Sequence, residues 1–218
     1  MSHSTLAILI SGGLDSAILL GVALRRGEAV TPIFVRCGLA WETVELDYLR
    51  RYLDAFQSPS LQPLVILDQP IADVYGAHWS ITGKNVPDAH SADEKVFLPG
   101  RNVLLLAKPL IWCHLNSVPA IALGSLQTNP FPDATPAFFQ GIGALVDQAL
   151  QSNVEVRLPF GGMKKVAVMQ LGVGLPLEHS FSCIDPINGL HCGRCNKCAE
   201  RQHAFRDAEM ADPTRYYG

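Results

Sequence analysis

Apolar and polar positions follow two rhythms along this chain. Short, largely apolar runs of strand length alternate with longer stretches that carry apolar residues three and four apart. The first run, Leu6–Ile10, precedes Ser16–Arg26, where Ile18, Leu19, Val22 and Ala23 are the apolar positions of a helix. A second strand spans Val30–Val35. Trp41–Phe56 reads as a helix, with Leu46, Leu49 and Leu53 on one stripe and Glu42, Asp47, Arg50 and Arg51 largely off it. Leu64–Leu67 is a third strand. Asn102–His114 is a helix with a broad apolar face and a candidate kink at Pro109. Val118–Leu123 is a fourth strand, ending at Gly124. Pro136–Leu150 is a helix with proline in its first turn. Val154–Leu158 is a fifth strand, and Lys164–Leu171 a short helix. Between the third strand and the Asn102 helix the periodicity fades, so Asp68–Leu98 is expected to be a long excursion beside the active site rather than a core element.

Strands alternating with helices predict an α/β fold: a five-stranded parallel sheet, Rossmann-like, with helices on both faces. Ligands of such sheets bind at the carboxyl ends of the strands. That rim comprises Ser11–Ser16, Arg36–Trp41, Asp68 onward, Gly124–Asp133 and Pro159–Lys165. The expected organisation is one α/β body over residues 1–180 and a cysteine-rich segment over 181–218 packed on it. A net charge of −3 gives no general reason to bind nucleic acid or an anionic membrane. No apolar run approaches the ~18–20 residues that span a bilayer, and no basic stretch leads a long apolar segment at the start. A soluble cytoplasmic protein is the expectation.

The first strand runs directly into Ser11-Gly12-Gly13-Leu14-Asp15-Ser16. Two glycines let the backbone approach an anion, and the following helix aims its free N–H groups at it. A Gly-Gly turn after a strand is often only a tight connection. The Walker lysine is absent here, and so is the Rossmann glycine spacing. Residue types and strand–turn–helix context instead resemble the pyrophosphate loop of the ATP-pyrophosphatase superfamily, a nucleotide-binding segment from Ile10 to Ser16.

Four of six cysteines, Cys183, Cys192, Cys195 and Cys198, lie close together in the tail. Four thiolates with two x-x spacers suit a closed, structural zinc site. A redox Cys-x-x-Cys pair and an iron–sulfur cluster are the rivals. Arg194, Lys197 and Arg201 beside the site read as a solvated basic face, or as groups that reach a phosphate. Cys37 and Cys113 read as small buried hydrophobes. Arg101 opens a helix, where the dipole disfavours a cation, so it is either an ordinary surface residue or a partner for an anion. Asp133 is a pocket residue or a cap before Pro136. Lys164 and Lys165 are a solvated pair unless one reaches a triphosphate.

Taken in order, the Ser11–Ser16 loop, Phe97-Leu98-Pro99-Gly100-Arg101-Asn102, and Ser182-Cys183 followed by Cys192-Gly193-x-Cys195-x-x-Cys198 and Arg201 resemble the 7-cyano-7-deazaguanine synthase family of queuosine biosynthesis (the QueC or ExsB type). The resemblance spans nearly the whole chain. It implies an ATP-dependent ligase that converts 7-carboxy-7-deazaguanine and ammonia into the nitrile through an adenylated intermediate. It also implies ATP, Mg2+ and Zn2+ as cofactors and a homodimer. Ser11, Gly12, Gly13, Asp15 and Ser16 would cradle phosphate, with Arg101 and Lys165 adding contacts, and the zinc would be structural. Two loops depart from the family pattern. Leu39 and Trp41 stand where the family usually carries a Gln and a His. The segment Asn129–Thr135 keeps Pro132 and Asp133 but lacks the family's following Cys and Arg. A diverged paralogue adenylating another acceptor, and a nucleotide-binding zinc protein without catalysis, are the competing readings.

Overall fold

The computed structural model describes residues 5–218. Its centre is a parallel sheet of five strands in the order β3-β2-β1-β4-β5: β1 (Thr5–Leu9), β2 (Ala29–Arg36), β3 (Val65–Asp68), β4 (Ala120–Ala122) and β5 (Glu155–Arg157). All five predicted strands form, with ends shifted by one or two residues. β1 sits in the middle because it is apolar on both faces. Leu6, Ile8 and Ile10 enter one core layer, while Ala7 enters the other. Pro32 is unusual inside a strand. It lies opposite Ile8, just before Ile33, the first β2 residue paired with β3 (to Val65).

One face is covered by α1 (Leu14–Arg25), α2 (Glu42–Asp54), α7 (Lys165–Leu171) and α8 (Asn196–Asp207). The other is covered by α5 (Arg101–Leu115) and α6 (Pro136–Leu150), through Leu106, Leu110, Phe139 and Ile142. α1 is buried from Leu14 to Ala23 except at Asp15, and α7 and Leu175 close its outer side. Tyr52 donates a 2.6 Å hydrogen bond to the Ala17 carbonyl and ties α2 to α1. α5 continues through Pro109 as one element. The Asp68–Leu98 excursion holds two single-turn helices, α3 (Ala72–Tyr75) and α4 (Trp79–Thr82), and a 3-10 turn at Asp93–Val96. Contrary to the expectation that it contributes nothing to the core, it gives Ile71, Val96 and Leu98 to a buried cluster around the four cysteines.

The tail differs most from expectation. It carries a helix, α8, that apolar periodicity did not announce, and whose Ala204 and Phe205 reach the main core. Arg201 is not on a solvated face. It is 1% exposed, and its guanidinium donates to Ser180 Oγ at 2.9 Å and to the Leu177 carbonyl at 3.0 Å. A buried cation so fully bonded fixes the tail against the turn that precedes it. No helix among the described residues is long and apolar enough to cross a membrane.

Candidate functional site

The strand order reverses between β1 and β4, which is where parallel sheets open a crevice. The Ser11–Ser16 loop stands there. Gly12 has φ +84°, and a Cβ on it would touch Leu49 Cβ at 3.4 Å. The loop is braced internally: Gly13 N–H donates to Ser11 Oγ at 3.3 Å, and Ser16 Oγ donates to the Gly13 carbonyl at 3.1 Å. Behind it, Phe181 N–H donates to the Gly12 carbonyl at 2.8 Å, so the tail supports the loop directly. Gly13 is the N-cap of α1, which starts two residues earlier than predicted, and Asp15 and Ser16 occupy its first turn. Ile10 and Leu14 are buried and form the apolar shoulder of the turn.

A cavity of about 350 Å³ opens in front of this loop. Ile10, Ser11, Gly13, Leu14, Asp15, Ser16, Arg101 and Lys165 all line it, so three stretches far apart in sequence converge. Gly12 is not on the wall and acts through its conformation. Lys165 Nζ lies 2.8 and 2.9 Å from the two oxygens of Asp15. Both side chains are mostly shielded, at 23% and 27% exposure. Lys164 beside it is exposed and acts as the N-cap of α7. The Arg101 Nε is buried and takes no partner among the described residues. Arg101 is thus half-buried on the cavity wall and not an ordinary surface residue. Asp133 is indeed a cap, but of a different helix: its carboxylate accepts the Asn102 N–H of α5 at 3.2 Å, while Thr135 caps α6.

Two acidic residues on the same wall escaped sequence reasoning, because the helical pattern placed Glu42 on a solvated face. Both are buried. Glu42 accepts from the backbone N–H groups of Cys37 and Gly38 and so fixes the loop after β2. Burial pushes the Glu45 carboxyl up to about 8; Arg101 opposes the rise and Glu42 adds to it. Leu39 and Trp41, which replace the expected polar residues, are both buried, and Trp41 stacks on Trp79 at 5.7 Å. The two Cys residues outside the tail are inert: burial raises Cys37 to about 11 and Cys113 to about 12.

The four tail cysteines form a metal-binding geometry. Their sulfurs all lie within 4.8 Å of one another, and none is in a disulfide. Cys183 to Cys195 and Cys192 to Cys198 are both 3.9 Å, close to the edge of about 3.8 Å expected for a tetrahedron with metal–sulfur bonds of about 2.3 Å. The surroundings fit thiolate. Backbone N–H groups of Asp185, Cys192, Arg194, Cys195 and Cys198 point at the sulfurs at 3.3–3.5 Å. Gly193, at φ +75°, makes the turn between the ligands.

Comparison with known proteins agrees with this geometry. The family model described as "Queuosine biosynthesis protein QueC" matches residues 5–209. The 7-cyano-7-deazaguanine synthase of Solidesulfovibrio magneticus is 32% identical over 230 residues, which covers 96% of this chain and 94% of that protein. The 7-cyano-7-deazaguanine synthase 1 of Sphingopyxis alaskensis is 30% identical, covering 99% of this chain and all of the relative (100%). The synthase of Saccharophagus degradans is likewise 30% identical, covering 99% of each.

Proposed function

Because the chain belongs to the QueC family, we propose that it is the ATP-dependent ligase that turns 7-carboxy-7-deazaguanine and ammonia into 7-cyano-7-deazaguanine. The observation that carries the reading is the convergence of the Ser11–Ser16 loop, the Asp15–Lys165 pair and Arg101 on one cavity at the switch point of the sheet.

A carboxylate is a poor electrophile, and attack by its oxygen on the α-phosphorus of ATP gives an acyl-adenylate and pyrophosphate. The charge that builds on the departing pyrophosphate falls at the N-terminus of α1, whose first-turn N–H groups have no partner within the helix. Ser11 and Ser16 add hydroxyls, and Arg101 and Lys165 add fixed positive charge. Asp15, now held by Lys165, is the carboxylate placed to carry Mg2+, which would neutralise phosphate charge when bound. Ammonia then displaces AMP to give the amide. The amide oxygen then attacks the α-phosphorus of a second ATP with loss of pyrophosphate, and departure of AMP with the two N–H protons leaves the nitrile. In this reading the cysteines hold zinc, and residues 181–218 form a metal-held cap on the body formed by 1–180. The protein acts in the cytoplasm as a homodimer on a small acid, without nucleic acid or membrane.

Pyrophosphate release with ATP, Mg2+ and ammonia across a panel of acids tests this. Release should depend on the deazaguanine acid, and Asp15→Ala should lower it by about 100-fold or more while leaving one zinc per chain. Release driven only by another acid would assign the site to a diverged paralogue. ATP binding without turnover on any acid would leave a regulatory protein. Iron in place of zinc would overturn the metal assignment.

A further inference from the structure

A second cavity, of about 450 Å³, lies beside the first. The two share Asp15, Gly124, Asn129, Lys165, Lys197 and Glu200, so the Asp15–Lys165 pair stands between them. On the wall of the second cavity is Asn196, the first residue of α8, only 5% exposed. Its Nδ2 donates to the Ser91 carbonyl at 2.9 Å and to Asp93 Oδ1 at 3.2 Å. Both partners are pure acceptors, so they use both amide protons and fix which end of the carboxamide is which. The other end, Oδ1, is buried and takes no hydrogen bond among the described residues. A shielded carbonyl oxygen held in place without a donor is costly, and a ligand that brings an N–H removes the cost.

The rest of the wall narrows the ligand. Phe131 is stacked on Phe97, with centroids 5.0 Å apart and planes 26° from parallel, so its ring is held as a flat apolar surface. Phe131 and Pro130 belong to the loop after β4 that departs from the family pattern, and both line this cavity. Asp93 lines it too and offers a second carboxylate oxygen close to Asn196. A flat apolar wall, a fixed carbonyl acceptor beside a carboxylate, and lysines at the shared end suit a planar heterocycle. Such a ligand carries adjacent N–H donors on one edge and an acid group on the other.

Building on the ligase reading above, we propose that this second cavity is the acceptor subsite. Asn196 Oδ1, with Asp93 beside it, accepts from the ring N–H and exocyclic amine of the deazaguanine. The carboxylate of the acceptor then points toward Lys165 and Lys197 at the shared wall, where the phosphates of ATP are placed. Asn196 is in this account a substrate-reading residue; it takes no part in the chemistry.

The test measures pyrophosphate release by the full zinc-loaded protein at saturating ATP, with 7-carboxy-7-deazaguanine and with its analogue lacking the exocyclic amine. Wild type should favour the amine-bearing acid by about tenfold or more in kcat/KM. Asn196→Ala should raise KM for that acid by about 10- to 100-fold and shrink the preference, with KM for ATP and zinc content unchanged. Equal use of both acids by wild type overturns the proposal, even if the variant fails to fold. So does an unchanged KM in Asn196→Ala, or a loss that falls equally on ATP and acid. A wild type that releases no pyrophosphate with the deazaguanine acid, but does so with another, removes the substrate assignment on which the proposal rests.

Discussion

Glu45 is a carboxyl held in a place that disfavours its charge. It is buried on the cavity wall, with Glu42 raising and Arg101 lowering its proton affinity, and titrates at about 8 instead of 4.5. The folded chain therefore holds a proton that the unfolded chain gives up between those two values, and stability falls as pH rises through that window. Below pH 4.5 the group is neutral in both states and has no effect. Glu45→Gln should thus raise the thermal midpoint by roughly 5 °C at pH 8.5 and leave it unchanged at pH 4; an equal change at both pH values would show that the side chain is not charged at a cost. At this scale the sequence was legible where chemistry is local. Ser11–Ser16 and the four cysteines declare themselves by spacing. Glu45 and Asn196 do not, because their burial depends on segments distant in the chain: the Asn196 amide is held by Ser91 and Asp93, more than 100 residues away.

Gly124 ends the fourth predicted strand, and its role emerges only when elements meet. A Cβ there would lie 3.0 Å from the Asp15 carbonyl carbon and 3.1 Å from the Ser16 nitrogen. The end of β4 therefore packs on the backbone of the first turn of α1, and only a residue without a side chain lets the Ser11–Ser16 loop sit so close. Gly124→Ala should push α1 outward by a few tenths of an ångström. Pyrophosphate release should fall by about 10- to 100-fold with little loss of thermal stability. Normal turnover in that variant would mean that the position of α1 is not critical. Strands β1 to β5 and helices α1, α2, α5, α6 and α7 could be read from periodicity, because each buries a continuous apolar face. α8 could not. Among its buried residues are Asn196, Cys198 and Arg201, held by hydrogen bonds and by the thiol cluster rather than by apolar area.

Across the whole molecule, the tail and the body share one interior. Phe181 bonds to the Ser11–Ser16 loop, Phe205 enters the main core, and the cysteines pack with Val35, Trp41 and Tyr48. On the far face, Ile111 and Leu115 of α5 and Leu145 of α6 are left 40%, 74% and 66% exposed. α5 and α6 pack on each other, and these exposed apolar residues are where we place the contact of the homodimer proposed above. Leu115→Asp combined with Leu145→Asp should convert a dimer to a monomer by light scattering, and a wild type that is already monomeric would contradict the placement. The parallel sheet and the rim at its strand ends followed from the sequence pattern; the strand order, and with it the switch point, did not. The acceptor cavity did not, since it is assembled from the excursion, the loop after β4 and the unforeseen α8.

The central claim is that this cavity transfers an adenylyl group to a carboxylate. The direct measurement is the fate of the carboxyl oxygens: 7-carboxy-7-deazaguanine labelled with 18O is converted in unlabelled water with ATP and ammonia, and the nucleotide products are weighed by mass spectrometry. The account predicts one 18O in the AMP from adenylation and the second in the AMP released as the amide becomes the nitrile. Label in inorganic phosphate together with ADP would contradict it, because the carboxylate would then have attacked the γ-phosphorus and not the α.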